Sequence, residues 1–254
     1  MLQAVRLTRR YGGLTAVREI TITIPAGRVT GYLGPNGSGK STTVKMLAGL
    51  LEPSGGDILF EGVPLKNRWE EYKARLGYVP EEPLLYPYLT APEYLRLVGR
   101  LRGMTENRLA EKIDALLRLL ALHPHRHLPI SAFSKGMRQK VLIIAALLHD
   151  PDVLIFDEPL SGLDVTAMLV FRHLLATLAE AGKAILYSSH VLEVVEKICS
   201  RVIILDRGRI VADDEVSALQ AMMRLPSLER VFTQLVSRED AATVAREIVG
   251  VMRA

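Results

Sequence analysis

One short stretch, GPNGSGKS at residues 34–41, constrains the fold of this chain more than any other. It matches the phosphate-binding loop (P-loop) pattern GxxxxGK[ST] and lies between a strand pattern at 28–33 and a helix pattern from about 41 to 50. Backbone N–H groups of such a loop converge on phosphate oxygens, and the helix N-terminus adds its positive dipole end. We therefore predict a nucleotide site in which Lys40 reaches the β- and γ-phosphates and Ser41 holds Mg²⁺.

Strand and helix patterns alternate over most of the remaining chain. Strand patterns occupy 17–24, 57–60, 76–79, 153–156, 184–189 and 201–205. Helix patterns at 165–180 and 191–199 separate the later strands, which favours a mostly parallel sheet covered on both faces. Residues from roughly 82 to 148 are helical, and Thr90 and Glu93 have the spacing of a capping box.

Two acids, Asp157 and Glu158, directly follow the apolar strand pattern at 153–156. Ligands of parallel α/β sheets bind at the carboxyl ends of the strands, so both acids are predicted there. Asp157 would hold Mg²⁺, directly or through water, and Glu158 could orient and deprotonate an attacking water. His190 ends the next strand pattern and is predicted at the same edge, as a γ-phosphate sensor. Without the P-loop, these features would be typical of ordinary strand ends.

Composition excludes several classes of protein. Hydrophobic residues make up 49% and charged residues 24%, which is neither disordered nor fibrous, and the net charge of +4 includes no basic run. We therefore expect no nucleic-acid partner. The longest apolar run, residues 141–148, is too short to span a bilayer, and the N-terminus lacks the apolar core of a signal peptide. Cys199 is the only cysteine, so no intrachain disulfide can form.

A further helix pattern begins at Ser134, in FSKGMRQKV. Serine is a favoured N-cap, and Gly136 leaves the first turn open to close approach by another molecule. The pattern is compatible with an anion site and with an ordinary capped core helix, and alone it favours the latter.

Taken together, GPNGSGKST, FSKGMRQKV, VLIFDEPLSGLD and SSH resemble the nucleotide-binding subunit of an ATP-binding cassette (ABC) transporter. The resemblance covers roughly residues 1–215, and FSKGM with a later SLERVF is most similar to ABC-2-type exporter ATPases. It implies an α/β fold with a P-loop (RecA-type), mostly parallel sheet core, an N-terminal antiparallel β subdomain and an inserted helical subdomain. The expected divisions are a core at roughly 1–81 and 149–215, helices at 82–148, and a C-terminal helical extension at 216–254.

The resemblance also implies where ATP binds. In one subunit the ATP contacts would be Tyr11, which stacks on adenine, and Gly34, Pro35, Asn36, Gly37, Ser38, Gly39, Lys40, Ser41 and Thr42. Two subunits, identical or different, would stack head to tail, so that signature residues of one meet the γ-phosphate held by the other. Those residues would be Ser134, Lys135, Gly136 and Met137, with Asp164 as the D-loop aspartate. Lys135 replaces the family's usual glycine, and we expect it to be tolerated with its side chain pointing outward.

A second departure from the family pattern lies in LGYVPEEP, residues 76–83. The family has glutamine at the position of Glu81, where it reaches toward Mg²⁺ and the attacking water. Glu81 is therefore predicted in the active site and as an Mg²⁺ ligand, whereas Glu82 is predicted to be a solvated loop acid. A carboxylate keeps an oxygen ligand for Mg²⁺ but loses the amide donors.

The function that these patterns indicate is ATP hydrolysis by a peripheral subunit at the cytoplasmic face of a membrane, driving a separate integral membrane permease. A cytosolic ABC ATPase of DNA maintenance or translation is disfavoured, because the segment between Lys40 and Ser134 has no room for a long coiled-coil insertion. A non-hydrolysing nucleotide-binding regulator is disfavoured because Glu158 and His190 are both present. The sequence does not name a cargo.

Overall fold

A computed structural model of the chain describes residues 1–236, 246, 248–249 and 251–252. The strands are β1 Leu2–Tyr11, β2 Leu14–Ile24, β3 Arg28–Leu33, β4 Gly55–Phe60, β5 Val63–Pro64, β6 Leu76–Val79, β7 Val153–Asp157, β8 Ala184–Ser188, β9 Arg201–Asp206 and β10 Arg209–Glu215. The α-helices are α1 Lys40–Leu47, α2 Trp69–Ala74, α3 Ala91–Leu101, α4 Glu106–Leu119, α5 Lys135–Leu147, α6 Val165–Glu180, α7 Leu192–Ile198, α8 Val216–Met223 and α9 Leu228–Val236. None of the helices in this described part is long and apolar enough to cross a membrane.

The strands form two sheets. One has the order β2-β1-β4-β5 and is antiparallel. The other has the order β10-β9-β3-β8-β7-β6, in which β10 pairs antiparallel with β9 and the remaining pairs are parallel. The predicted α/β fold, with a mostly parallel core and an N-terminal antiparallel β part, is therefore confirmed.

Alternation along the central strands explains how sheets and helices pack. In β7, Val153 and Ile155 contribute to the core shared with the antiparallel sheet and α1, whereas Leu154 and Phe156 contribute to the core under the helices on the other face. Successive side chains of a strand point to opposite faces, so a strand buried on both faces is apolar throughout. The uninterrupted apolar run at 153–156 follows from this double burial.

Helices α3, α4 and α5 surround a smaller core of their own, which includes Leu95, Ile113 and Ile144. Thr90 and Glu93 make both hydrogen bonds of the predicted capping box at the start of α3. Helix α5 also gives Leu142 to the core of the parallel sheet, so it joins the helical region to the strands. The division of the chain into domains at 81, 148 and 215 remains a prediction.

The structure departs from the predicted elements most clearly at β1, at the end of α1 and at the C-terminus. Strand β1 had no strand prediction of its own. Helix α1 ends at Leu47, before the predicted residue 50, because Gly49 turns the chain with a φ of +68°. The predicted C-terminal helical pattern is present as α8 and α9 up to Val236, and most of the remainder to residue 254 lies outside the described residues.

Candidate active site

The P-loop connects β3 to α1 at the carboxyl end of a central strand of the parallel sheet. Ser38 is buried, whereas Asn36, Gly37 and Ser41 are exposed, and Thr42 is half-buried in the first turn of α1. The hydroxyl oxygen of Ser38 finds no hydrogen-bond partner among the described protein atoms. An unpartnered buried hydroxyl within a loop of backbone amides fits a phosphate oxygen, which accepts hydrogen bonds from such donors.

The back of the loop is fixed by the antiparallel sheet and by the β9–β10 turn. Gly39 has a φ of +106°, and a Cβ there would lie 2.5 Å from the carbonyl oxygen of Ala16 on β2, so the position requires glycine. The N–H of Gly208 donates to the Ser38 carbonyl at 2.8 Å, and the Gly208 carbonyl accepts from the N–H of Arg18 at 2.8 Å. The loop is therefore held in shape by segments that are distant in sequence.

Lys40 begins α1, and its amino group donates to the carbonyls of Gly34 at 2.6 Å and Pro35 at 3.1 Å. Burial lowers the pKa of Lys40, and the carboxylates of Glu158, Asp157 and Glu81 act in the opposite direction. The predicted phosphate-binding lysine and the three predicted acids therefore share one electrostatic environment.

Asp157 is the last residue of β7 and is buried. Burial raises the pKa of Asp157, and the charges of Glu81 and Glu158 add to this, whereas Ser188 and Lys40 act in the opposite direction. A cation near Asp157 would oppose these effects on its pKa. Among the described residues no three acids, histidines or cysteines form a metal site by themselves, so such a cation would need other ligands.

Glu158 has an unusual backbone conformation for a residue with a side chain. Its φ is +48°, and its N–H donates to the Ser188 carbonyl at 3.0 Å. One carboxylate oxygen lies 2.7 Å from Nδ1 of His190, and the other accepts from the hydroxyl of Ser189 at 3.3 Å. Non-glycine residues in the left-handed region cost about 1–3 kcal/mol and concentrate at functional sites. The structure thus brings Glu158 and His190 together at one edge of the sheet.

Ser189 was not among the predicted site residues. It is buried, and its hydroxyl also accepts from the N–H of Val191 at 3.1 Å. These two hydrogen bonds hold the segment after β8 against Glu158. The position of Ser189 directly before His190, at the end of the same strand pattern, is the signal that could have identified it.

Glu81 and Glu82 follow β6, the strand beside β7, and both are exposed. The negative charge of Glu81 raises the pKa of Lys40 and of Asp157. Burial raises the pKa of Tyr78, and the charges of Asp157 and Glu81 add to this effect. The charge of Glu81 therefore acts on the pKa values of Lys40, Asp157 and Tyr78.

The start of α5 packs against the turn from Glu158 to Asp164. Ser134 is the N-cap of α5, and its hydroxyl accepts from the N–H of Met137 at 3.2 Å. A Cβ on Gly136 would lie 2.3 Å from the Gly162 carbonyl oxygen. Asp164 is the N-cap of α6, and both N-cap residues are exposed. The starts of the two helices therefore lie side by side at the surface.

Lys135 is exposed, as the sequence led us to expect, but its side chain also has a partner. Its side chain is exposed but runs along Gly162, where a Cβ would meet Lys135 carbons at 3.1–3.3 Å. Its amino group donates to the hydroxyl of Ser161 at 2.5 Å. The partner of this cation therefore lies within its own subunit.

Tyr11 ends β1, where the chain turns into β2. The residue is 45% exposed, and the guanidinium carbon of Arg9 lies 4.7 Å from the centroid of its ring. Arg9 is itself held by a hydrogen bond of 2.7 Å to the Glu52 carbonyl. Tyr11 therefore presents an accessible aromatic surface supported by a cation.

Comparison with known proteins connects this arrangement to a family. The model of the ABC transporter family matches residues 17–161. The chain belongs to the ABC transporter family.

Its relatives and its fold are those of ABC ATP-binding subunits. The chain is 38% identical over 224 residues to the ABC transporter ATP-binding protein NatA of Bacillus subtilis, covering 88% of this chain and 91% of NatA. It is 35% identical to a Nod factor export ATP-binding protein I of Cupriavidus metallidurans, covering 84% of this chain and 70% of that protein. The solved structure of an ABC transporter ATP-binding subunit has a TM-score of 0.87 at 33% identity, covering 92% of this chain and 99% of the other. The ABC resemblance of the sequence and the expected ATPase activity are confirmed.

Proposed function

We propose that this ABC ATPase powers export, as one of two ATPase subunits bound to a separate integral membrane permease at the cytoplasmic face of a membrane. The name of the Nod factor export relative supports the direction of transport. The adjacent exposed starts of α5 and α6, with Ser134 and Asp164 as N-caps, support a surface on which a second ATPase subunit stacks.

The environment of Glu158 is the observation that supports ATP hydrolysis, on which the proposed export depends. His190 and Ser189 each contact one oxygen of its carboxylate. The negative charge of the same carboxylate raises the pKa of Lys40 in the P-loop. An oriented carboxylate near a bound γ-phosphate can accept a proton from the attacking water. Glu158 is then the general base, and His190 orients it and senses the γ-phosphate.

ATP would lie with its phosphates on the backbone N–H groups of residues 34–42 and its adenine on Tyr11. Mg²⁺ would be held by the Ser41 hydroxyl and the Asp157 carboxylate, and Glu81 would supply a further oxygen. Mg²⁺ is commonly bound by one or two carboxylates together with substrate phosphates and water, so this donor set fits the ion. When bound, the ion neutralises charge on the phosphates.

A second subunit completes the site in this proposal. The signature segment of one subunit, residues 134–137, would lie against the γ-phosphate held by the P-loop of the other, so ATP fastens the pair. Within it the amino group of Lys135 stays on Ser161 of its own subunit. Hydrolysis removes the shared anion and lets the subunits part, and this cycle of closing and release can drive a membrane partner.

The ATPase arm of the test compares the native chain with Glu158→Gln. Removing a general base is expected to lower kcat by about 10² to 10⁴-fold while ATP binding remains, because the P-loop is unchanged. Glu82→Gln, a change of the same chemistry at an exposed neighbouring acid, should keep native activity. Equal kcat values for Glu158→Gln and the native chain would remove Glu158 from the proposed role.

The transport arm tests the partner. The chain is co-expressed with a candidate permease from a neighbouring gene, and the membrane fraction is solubilised and purified through a tag on the permease. Recovery of both chains, with an ATPase activity that changes when the purified complex is placed in lipid vesicles, supports the proposal. An active ATPase that remains free of every such membrane protein would favour the cytosolic alternative.

A further inference from the structure

The turn from Glu158 to Asp164 is held against α5 by its backbone. The Gly162 carbonyl faces Gly136 so closely that a Cβ on Gly136 would lie 2.3 Å from its oxygen. Leu163 is buried in the core of the parallel sheet, which anchors the turn from below. The segment from Glu158 to Asp164 is therefore fixed against the N-terminal end of α5.

The side chains of two lysines of α5 contact this segment. Lys135 lies along Gly162 and donates to the Ser161 hydroxyl at 2.5 Å. Lys140 lies 3.7 Å from a carboxylate oxygen of Asp164 and is itself largely buried. The short contact of Lys135 with a hydroxyl is the tighter of the two and involves no opposite charge.

Ser161 is connected in turn to Glu158. The N–H of Ser161 donates to the Glu158 carbonyl at 3.3 Å, and Glu158 has the left-handed φ of +48°. A residue in this conformation persists only when its surroundings hold it there. A continuous path of contacts therefore runs from the Lys135 amino group, through Ser161, to the backbone of Glu158.

We propose that Lys135 is a positioning residue, which fastens the turn carrying Glu158 to the start of α5 through the Ser161 hydroxyl. This inference rests on the proposed roles of Glu158 as general base and of Ser134 as a ligand of the second nucleotide. With the fastening in place, the base and the helix start that meets the other subunit move together. Glycine, which the family usually has at this position, could not make the contact.

The first test needs no activity. Amide hydrogen exchange of the peptide covering residues 158–164 is measured in the nucleotide-free protein for the native chain, Lys135→Met and Ser161→Ala. Both variants keep most of the packing but lose the hydrogen bond, so both should exchange about tenfold faster in this peptide. Lys112→Met is the matched control, because it removes a lysine that donates to the Leu148 carbonyl at 3.1 Å elsewhere. Unchanged exchange in Lys135→Met would overturn the proposal.

The second test uses steady-state ATP hydrolysis. Lys135→Met and Ser161→Ala should each lower kcat by about tenfold with KM for ATP nearly unchanged, and the double variant should be no worse than either single one. Ser161→Thr, which keeps the hydroxyl, should restore most of kcat. If Lys135→Met raises KM while Ser161→Ala has no effect, the lysine contacts nucleotide instead and the proposal is wrong. A native chain without Mg²⁺-dependent hydrolysis would refute the proposed function, while the exchange result would still decide the fastening.

Discussion

Replacing Gly136 with alanine tests the contact on which the arrangement of the site depends. The new Cβ would lie 2.3 Å from the Gly162 carbonyl oxygen. Carbon and carbonyl oxygen in contact are ordinarily separated by about 3.3–3.6 Å, so the turn must retreat by about 1 Å. The Cβ position is fixed by the helix backbone and the oxygen belongs to the backbone of the turn, so no side-chain rotation can relieve the clash.

The expected loss of activity follows from that displacement. The turn begins at Glu158, and a misplacement of about 1 Å at a reacting group can cost about 10²-fold in rate, or about 2.7 kcal/mol. Stability should change less. Alanine gains about 1 kcal/mol over glycine within a helix, which offsets part of the roughly 1–3 kcal/mol cost of overpacking. Gly136→Ala should therefore fold and bind ATP but hydrolyse it about 10²-fold more slowly.

The assay is kcat for Mg²⁺-ATP, measured together with the thermal midpoint. Gly55→Ala is the control, since the nearest atom to its new Cβ would be Thr8 Cβ at an ordinary 3.9 Å. That variant should keep native kcat. A folded Gly136→Ala enzyme with kcat within about threefold of the native value would refute the inference that the turn and the helix start must keep this spacing.

Three other changes have specific expected results. Tyr11→Ala should raise KM for ATP by about 5- to 150-fold with little change in kcat, because stacking of a base on an aromatic ring contributes about 1–3 kcal/mol, and Tyr11→Phe should be close to native. Glu81→Gln should raise the Mg²⁺ concentration for half-maximal hydrolysis by about threefold, since a negatively charged oxygen ligand of the cation is replaced by a neutral amide, and superimposable Mg²⁺ curves would contradict this. The hydrogen bond from Lys183 lowers the pKa of Asp150, aided by the charges of Lys183, Lys112 and Arg108. A lowered folded-state pKa contributes stability above the unfolded-state pKa of about 3.9 and loses it as pH falls through the folded-state pKa. Lys183→Met should therefore lower the thermal midpoint at pH 7 by at most about 3 °C, with the difference vanishing in strong acid, and a pH-independent difference would contradict the assignment.

The sequence predicts the strand ends of the site well, because parallel strands deliver the residues after them to one edge. The approach of Asp157, Glu158 and His190 follows from this rule. Strand β1 escaped prediction because its alternation is broken. Its register shifts between Ala4 and Leu7, where Arg6 has a φ of +48°, so buried residues lose their period of two.

Contacts between side chains distant in sequence could not be predicted in this way. Lys135 and Ser161 are 26 positions apart, and the direction of a lysine at the first turn of a helix depends on what packs over it. The same holds for the hydrogen bond from Arg9 to the Glu52 carbonyl, which joins residues 43 positions apart. Motifs therefore identify the reacting groups, whereas the groups that hold them in place require the folded chain.

The hydrogen bond from Gly208 to Ser38 sets a lower limit on the length of an autonomous nucleotide-binding unit. A fragment that ends before β9 would contain every motif from the P-loop to His190 but would lack the N–H that fixes the Ser38 carbonyl. It would also lose the bridge through the Gly208 carbonyl to Arg18 on β2. We therefore expect the minimal chain able to hold a triphosphate to include the turn between β9 and β10, although this turn offers only backbone groups to the loop.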